Sequence, residues 1–260
     1  MPVRALVAAA SPFAIEENSL RVALARLFAA GTVERDDRGE YRLGKRAQAV
    51  QQQVVSWKRL EERTRPWQGG WVGVHSGAWS RSEARRAERA LRFFGFRELA
   101  PGLEVRPDNL VVELEGLRSE LVSLGLPESS LVMKIGELEP STEARARSLW
   151  DARKLLAEYH RSCAELAASE DRLPTLAVGA AMVESFVLGG RAIRQLVLDP
   201  LLPEPIIDVE ERRKLGNAMR RYDKIGHACW RPFFAGYRVT SLRAPVDSKM
   251  PRDSAARVSP

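Results

Sequence analysis

Between residues 18 and 30 apolar side chains recur at helical spacing: Leu20, Ala23, Leu24, Leu27 and Phe28 fall at i, i+3, i+4, i+7 and i+8. The pattern predicts a helix that buries this face. The opposite side carries Asn18, Ser19, Val22, Ala25 and Arg26, with Arg21 at its edge, a strip of small and hydrogen-bonding side chains with two guanidinium groups. Gly31 is placed to end the helix, because glycine tolerates the left-handed conformation there. Residues 32–35 and 40–43 then bracket Asp36-Asp37-Arg38-Gly39, a polar hairpin signal. Ahead of the helix, residues 3–10 read as a short apolar helix and Ser11-Pro12-Phe13 as a turn.

Helix, turn, helix and basic hairpin give the outline of a winged helix-turn-helix domain over residues 1–46. In such a domain the strip enters the major groove. Arg35, Arg38 and Arg42 reach phosphates or the neighbouring minor groove, and Lys45 and Arg46 add phosphate contacts. The same residues also fit an ordinary helix packed on a hairpin, so the pattern alone leaves both readings open. A winged-helix domain normally has one more helix before this pair. Here the expectation is either a start further upstream or a cut-down domain that needs support from elsewhere.

Residues 44–65 predict a polar connecting helix with Ala47, Val50, Val54 and Trp57 on one side, closed by the breaker cluster Pro66-Trp67-Gln68-Gly69-Gly70. The connector is therefore placed at 47–69. Over 70–138 the order is strand, helix, turn and strand, helix, strand, which suggests a small ferredoxin-like α+β sheet. From 141 to 237 the pattern is helical, with helices expected over 143–168, 174–198 and 209–236 and a proline-fixed connector over 199–205. The fold class expected is α+β and multidomain, ending in an all-helical domain. Residues 238–260 lack periodicity, are rich in Ser, Pro and Arg, and are expected to be disordered.

Composition narrows the function classes. The chain has 260 residues, 45% of them hydrophobic, and a formal net charge of +7. That length allows two or three small domains with cores of their own, and the charge favours an anionic partner. No apolar run is long enough to span a bilayer and no signal core follows Met1, so a cytoplasmic protein without membrane attachment is expected. Cys163 and Cys229 are far apart, with no Cys-x-x-Cys, and read as reduced thiols. His160 with Cys163 and His227 with Cys229 supply four possible zinc ligands, but core packing is the better reading. There is no Gly-x-Ser-x-Gly elbow and no Gly-rich loop before a lysine, so neither catalysis nor a cofactor is expected. Glu61-Glu62 and Glu210-Glu211 read as solvated helix faces. Arg191, Arg194, Arg212, Arg213, Arg220 and Arg221 form a cluster that fits either the phosphates of a coenzyme A or a salt-bridged helix surface.

With the parts in this order the chain resembles the PaaX-type transcriptional regulators, the repressors of phenylacetic acid catabolism. The resemblance rests on residues 20–27 with Gly31, on Leu91-Arg92-Phe93-Phe94-Gly95-Phe96 with Leu99-Ala100-Pro101-Gly102-Leu103, and on Leu198-Asp199-Pro200-Leu201-Leu202-Pro203-Glu204. It implies a homodimeric repressor that binds a palindromic double-stranded DNA operator and is released by an aryl-CoA or acyl-CoA thioester such as phenylacetyl-CoA. Arg21 and Arg26 match the recognition-helix arginines, whereas Asn18, Val22 and Ala25 occupy positions that vary. The family's Trp-Pro-Gly is replaced here by Ile207-Asp208-Val209, and its His-Asp-Phe-Arg-Arg-like stretch by residues 188–194, so a different acyl-CoA fits as well. An alternative reading is a dimeric acyl-CoA-binding module without DNA binding. The middle domain also resembles the ferredoxin-like nuclease of CRISPR spacer acquisition. That enzyme needs an acidic residue at the end of its first strand, where this chain has His75-Ser76-Gly77, so a dimer-forming or relay role is expected instead of cleavage.

Overall fold

A computed structural model describes residues 1–237 apart from 37, 38, 46, 48–50, 52, 53 and 78. The expected tail over 238–260 lies outside the described residues, as do Arg38, Arg46 and Val50. The architecture is mixed helix and antiparallel sheet.

The chain opens with helix α1 (Val3–Ala10), one 3-10 turn (Ser11–Phe13) and helix α2 (Glu17–Ala29). The Gly31 amide bonds the Phe28 carbonyl and the Thr32 amide the Leu27 carbonyl, both at 2.9 Å. This is the Schellman closure, which needs the positive φ of +68° at Gly31. The chain then enters an antiparallel hairpin of β1 (Val33–Arg35) and β2 (Tyr41–Leu43), with Glu34 opposite Arg42. Gly44 seals the hairpin base against the helix end, where a Cβ would lie 2.4 Å from the Gly31 carbonyl oxygen.

The expected buried face of α2 requires correction. Leu24 is buried and Leu20 half-buried, but Ala23 is exposed, and Leu27 and Phe28 are 41% and 52% exposed. The eight-residue α1 is too short to cover the second half of α2, and the hairpin meets α2 mainly through β1.

The expected connecting helix breaks as well. Helical backbone at Lys45, Ala47, Gln51, Val54 and Val55 gives way to 3-10 turns over Ser56–Arg63, with a kink at Arg59. On either side of the kink Trp57 and Leu60 are both buried, while Val54 stays 38% exposed.

In the middle of the chain β3 (Trp71–His75), α3 (Arg81–Phe93), β4 (Arg97–Ala100), β5 (Leu103–Pro107), α4 (Leu114–Ser123) and β6 (Leu131–Ile135) build one sheet. The strand order is β4-β5-β3-β6, with every neighbour antiparallel. Residues 95–107, expected to hold one strand, fold back at Pro101-Gly102 into two. A capping box between Ser80 and Glu83 starts α3. Strand β3 is buried on both faces. Trp71 stacks on Trp150 at 6.2 Å and its indole N–H donates to Glu143 at 2.7 Å, from the helical part of the chain.

That helical part consists of α5 (Pro140–Arg147), α6 (Ala152–Arg172), α7 (Val178–Val197) and α8 (Val209–Gly236). The helix expected over 143–168 is two helices. Asp151 accepts from the Lys154 amide at 2.9 Å to cap α6, and the Trp150 indole turns away to donate to the Gly95 carbonyl at 3.0 Å. Both α6 and α7 pack on α8, and Ser56–Arg63 lies against α7 and α8.

Candidate functional site

The α2 strip is solvent-facing throughout: Asn18, Ser19, Arg21, Val22, Ala25 and Arg26 are all exposed. Arg21 forks onto the Glu17 carboxylate one turn earlier, at 2.6–2.8 Å, while the Arg26 guanidinium has no partner among the described residues. On the hairpin, Arg42 pairs with the cross-strand Glu34 at 3.1 Å. Arg35 donates to the Gly39 carbonyl at 3.3 Å and lies over the Tyr41 ring. Lys45 is exposed beyond the hairpin. Exposed pairs of this kind hold their partners weakly, so an incoming phosphate competes for Arg21 and Arg42 at small cost.

The six arginines of the C-terminal half do not converge on one site. Arg212 is buried, donates to the Leu202 carbonyl at 2.9 Å and lies 3.7 Å from the buried Asp199 carboxylate. Arg213 pairs with Glu210 and Glu61, and Arg191 with Glu165. Arg220 donates to Asn217 and to the Lys58 carbonyl. Arg194 and Arg221 are exposed.

Around Arg212 lies a buried polar joint between the sheet and the helices. Asp199 accepts from the Tyr159 hydroxyl and, at 2.8 Å, from the Leu201 amide. Burial pushes the Asp199 carboxyl above its ordinary range, opposed by Arg212 and by these two donors. Burial and the adjacent carboxylate push the Tyr159 phenol above its own. On the sheet side Asn109 donates to the Leu201 carbonyl at 2.7 Å and accepts from Arg106 at 3.0 Å. Arg106 also donates to the Phe94 and Pro107 carbonyls, and burial brings its pKa down to about 9. Sequence reasoning missed this joint, since single polar residues in separate elements carry no pattern.

It also missed a cavity of about 320 Å³ between α7 and α8, walled by Phe186, Gly189, Gly190, Tyr222, Gly226 and Trp230. Asp223 and His227 stand at its polar side. Phe186 and Trp230 contact Phe13, the last residue of the turn between α1 and α2, at ring distances of 5.4 and 6.5 Å. The available signal was a set of glycines, Gly189, Gly190 and Gly226, inside strongly helical patterns.

Among the described residues no group of three or more His, Cys, Asp or Glu side chains is placed to hold a metal ion. His160 bonds Glu211 at 2.7 Å and His227 lies 3.6 Å from Asp223. Burial raises both thiols, Cys163 and Cys229, above the ordinary cysteine range. No helix among the described residues is long and apolar enough to cross a membrane.

No protein-family model and no curated protein matches the chain. Among solved structures the chain is similar to an uncharacterized protein, Rv0674, from Mycobacterium tuberculosis, at 26% identity and a TM-score of 0.57, over 88% of this chain and 91% of that one. The likeness extends over most of both chains, and it brings no activity with it.

Proposed function

We propose that the protein is a DNA-binding transcriptional regulator of the PaaX type, a homodimeric repressor relieved by an aryl-CoA or acyl-CoA thioester. In this reading residues 1–46 are a winged helix-turn-helix, 70–138 a ferredoxin-like unit and 141–237 the helical domain. The observation that carries it is the exposed α2 strip, whose Arg26 guanidinium has no partner among the described residues, flanked by a hairpin bearing Arg35 and Arg42. A thirteen-residue helix is about 20 Å long at ~1.5 Å per residue, and a strip of small side chains lets it sit deep in a groove about 12 Å wide. The ferredoxin-like reading is supported by the β4-β5-β3-β6 order, in which each helix links two strands that have one other strand between them.

In this mechanism Arg26 and Arg21 meet base edges or phosphates while Arg35, Arg42 and Lys45 meet the backbone. The three backbone cations per half-site give a salt slope of about −2.7, and a dimer about −5.4. A ligand that favours the DNA-free arrangement releases the operator in proportion to that preference.

The test is a gel-shift titration of the full chain against the DNA upstream of its own gene, at two salt concentrations, with and without phenylacetyl-CoA. Salt-weakened binding abolished by the thioester is expected. Arg26→Ala is expected to weaken operator binding by about tenfold to a hundredfold and to relax sequence preference. Unchanged affinity and preference in that variant would refute α2 as the reading helix.

A further inference from the structure

We propose that the cavity between α7 and α8 binds an uncharged aromatic group, and that its occupancy is coupled to the seating of the helix-turn-helix unit through Phe13. The binding step is independent of the regulator reading; its consequence for DNA rests on that reading.

The cavity is left open by the residue types around it. Gly189, Gly190 and Gly226 sit inside long helices, where glycine is the poorest residue after proline. Packing does not demand them. A Cβ at Gly190 would meet nothing within 4 Å, one at Gly226 would only touch Ser185 at 3.6 Å, and one at Gly189 would meet Met219 at 3.4 Å. What they share is the hollow, which an alanine or leucine at each position would narrow.

The lining selects the ligand. At about 320 Å³ the space is roughly twice an engineered cavity of about 150 Å³ that takes benzene. It accommodates one substituted or fused ring system and leaves a nucleotide outside. The polar groups of the wall are occupied: Ser185 donates to the Met182 carbonyl, the Tyr222 hydroxyl bonds Ser169 at 2.8 Å, and Asp223 holds Lys58 at 2.8 Å. Phe186, Tyr222, Trp230 and Phe234 present ring faces and edges suited to another ring. His227, well exposed and 3.6 Å from Asp223, is a polar side chain placed to meet a substituent at the rim.

Coupling follows from what stands behind the wall. Phe186 and Trp230 line the cavity and at the same time contact Phe13, edge to face in the first case. Pro12 packs beside Gly179 at the start of α7. A ligand that shifts either ring changes the seat of the turn that precedes α2, and linkage makes the effect reciprocal.

The experiment titrates the full chain with N-phenyl-1-naphthylamine, an uncharged aromatic whose emission rises in apolar surroundings. Saturable binding at one site is expected; no binding overturns the proposal. Gly190→Leu, which improves the helix and fills the hollow, is expected to weaken the probe at least tenfold with its urea midpoint kept. Unchanged affinity in that variant overturns the location. Coenzyme A alone is expected not to compete, and competition by it overturns the aromatic assignment. Phe13→Ala, outside the cavity, is expected to change probe affinity about twofold to tenfold, the strength of an aromatic pair. No change overturns the coupling. Arg26→Ala is expected to leave probe binding intact, so a failure of DNA binding and a failure of the cavity are read separately.

Discussion

The joint around Asp199 should dominate the stability of the assembled chain. The Asp199 and Arg212 side chains are 1% and 4% exposed and lie 3.7 Å apart, with the Tyr159 hydroxyl and Leu201 amide completing the carboxylate. Asp199→Ala leaves a buried guanidinium without its counter-charge and strands two donors. Breaking a buried pair from one side costs about 3–5 kcal/mol, a large part of a total stability of about 5–15 kcal/mol. With a urea slope of about 3 kcal/mol per molar, the denaturation midpoint should fall by about 1–1.7 M. Replacing both partners is a different perturbation. In Asp199→Leu with Arg212→Met no charge is stranded, and the Nε of Arg212, buried without a partner, disappears as well. The double variant should therefore recover at least half of the loss. Urea unfolding followed by tryptophan fluorescence decides it: a loss below about 1 kcal/mol in Asp199→Ala, or a double variant as unstable as the sum of its singles, refutes the reasoning.

Gly95 holds φ at +77° with its missing Cβ 2.8 Å from Pro200 Cα, so Gly95→Ala combines a backbone penalty with a clash and should cost about 2–4 kcal/mol, lowering Tm by about 5–15 °C. Gly190→Ala, with open space and a helical backbone, should instead raise Tm slightly, and the same thermal scans compare the two. Glu139 accepts from Ser141 and Thr142 at the start of α5, which brings its pKa down to about 2. Because the folded value is depressed, the cap is fully present above the ordinary carboxylate range, near pH 4.3, and is lost as pH falls through about 2; a side-chain carbon titration of Glu139 with a midpoint above 4 contradicts it. Glu17→Gln frees Arg21 and removes a negative charge from the face assigned to DNA, so operator affinity should rise about twofold to fivefold at low salt, and a fall in the gel shift argues against that face.

What the sequence made legible was whatever a local pattern encodes. Helix α8 runs over Val209–Gly236, as the helical pattern of that stretch leads one to expect, and the hairpin follows from a polar, glycine-containing tip between short strands. The Pro101-Gly102 turn was hidden inside a stretch that reads as turn followed by one strand, so a hairpin looked like a single element. The break between α5 and α6 was hidden because Leu149 and Trp150 continue the apolar helical pattern even though Trp150 reaches across to Gly95. On α2 the pattern encoded an apolar face but not the presence of anything to cover it. The cavity was the least legible feature, being made of side chains that are not there.

Two of the stretches that carry the PaaX resemblance meet at one joint, and one of the two that depart from it lies elsewhere. Gly95 lies against Pro200, Phe94 offers its carbonyl to Arg106, and Leu201 is held by Asn109, so the quoted middle and C-terminal stretches meet at the joint between sheet and helices. Matches there preserve the way two parts are fastened, which any effector specificity can share. The departing residues 188–194 lie within α7, where Gly189, Gly190 and Ile193 wall the cavity. Under the regulator reading, then, one of the two departures falls where a ligand would be read, while the other, Ile207-Asp208-Val209, follows the connector, with Ile207 buried in the core beside it. Effector screening should begin from the shape of that cavity, with phenylacetyl-CoA as one candidate among aromatic compounds.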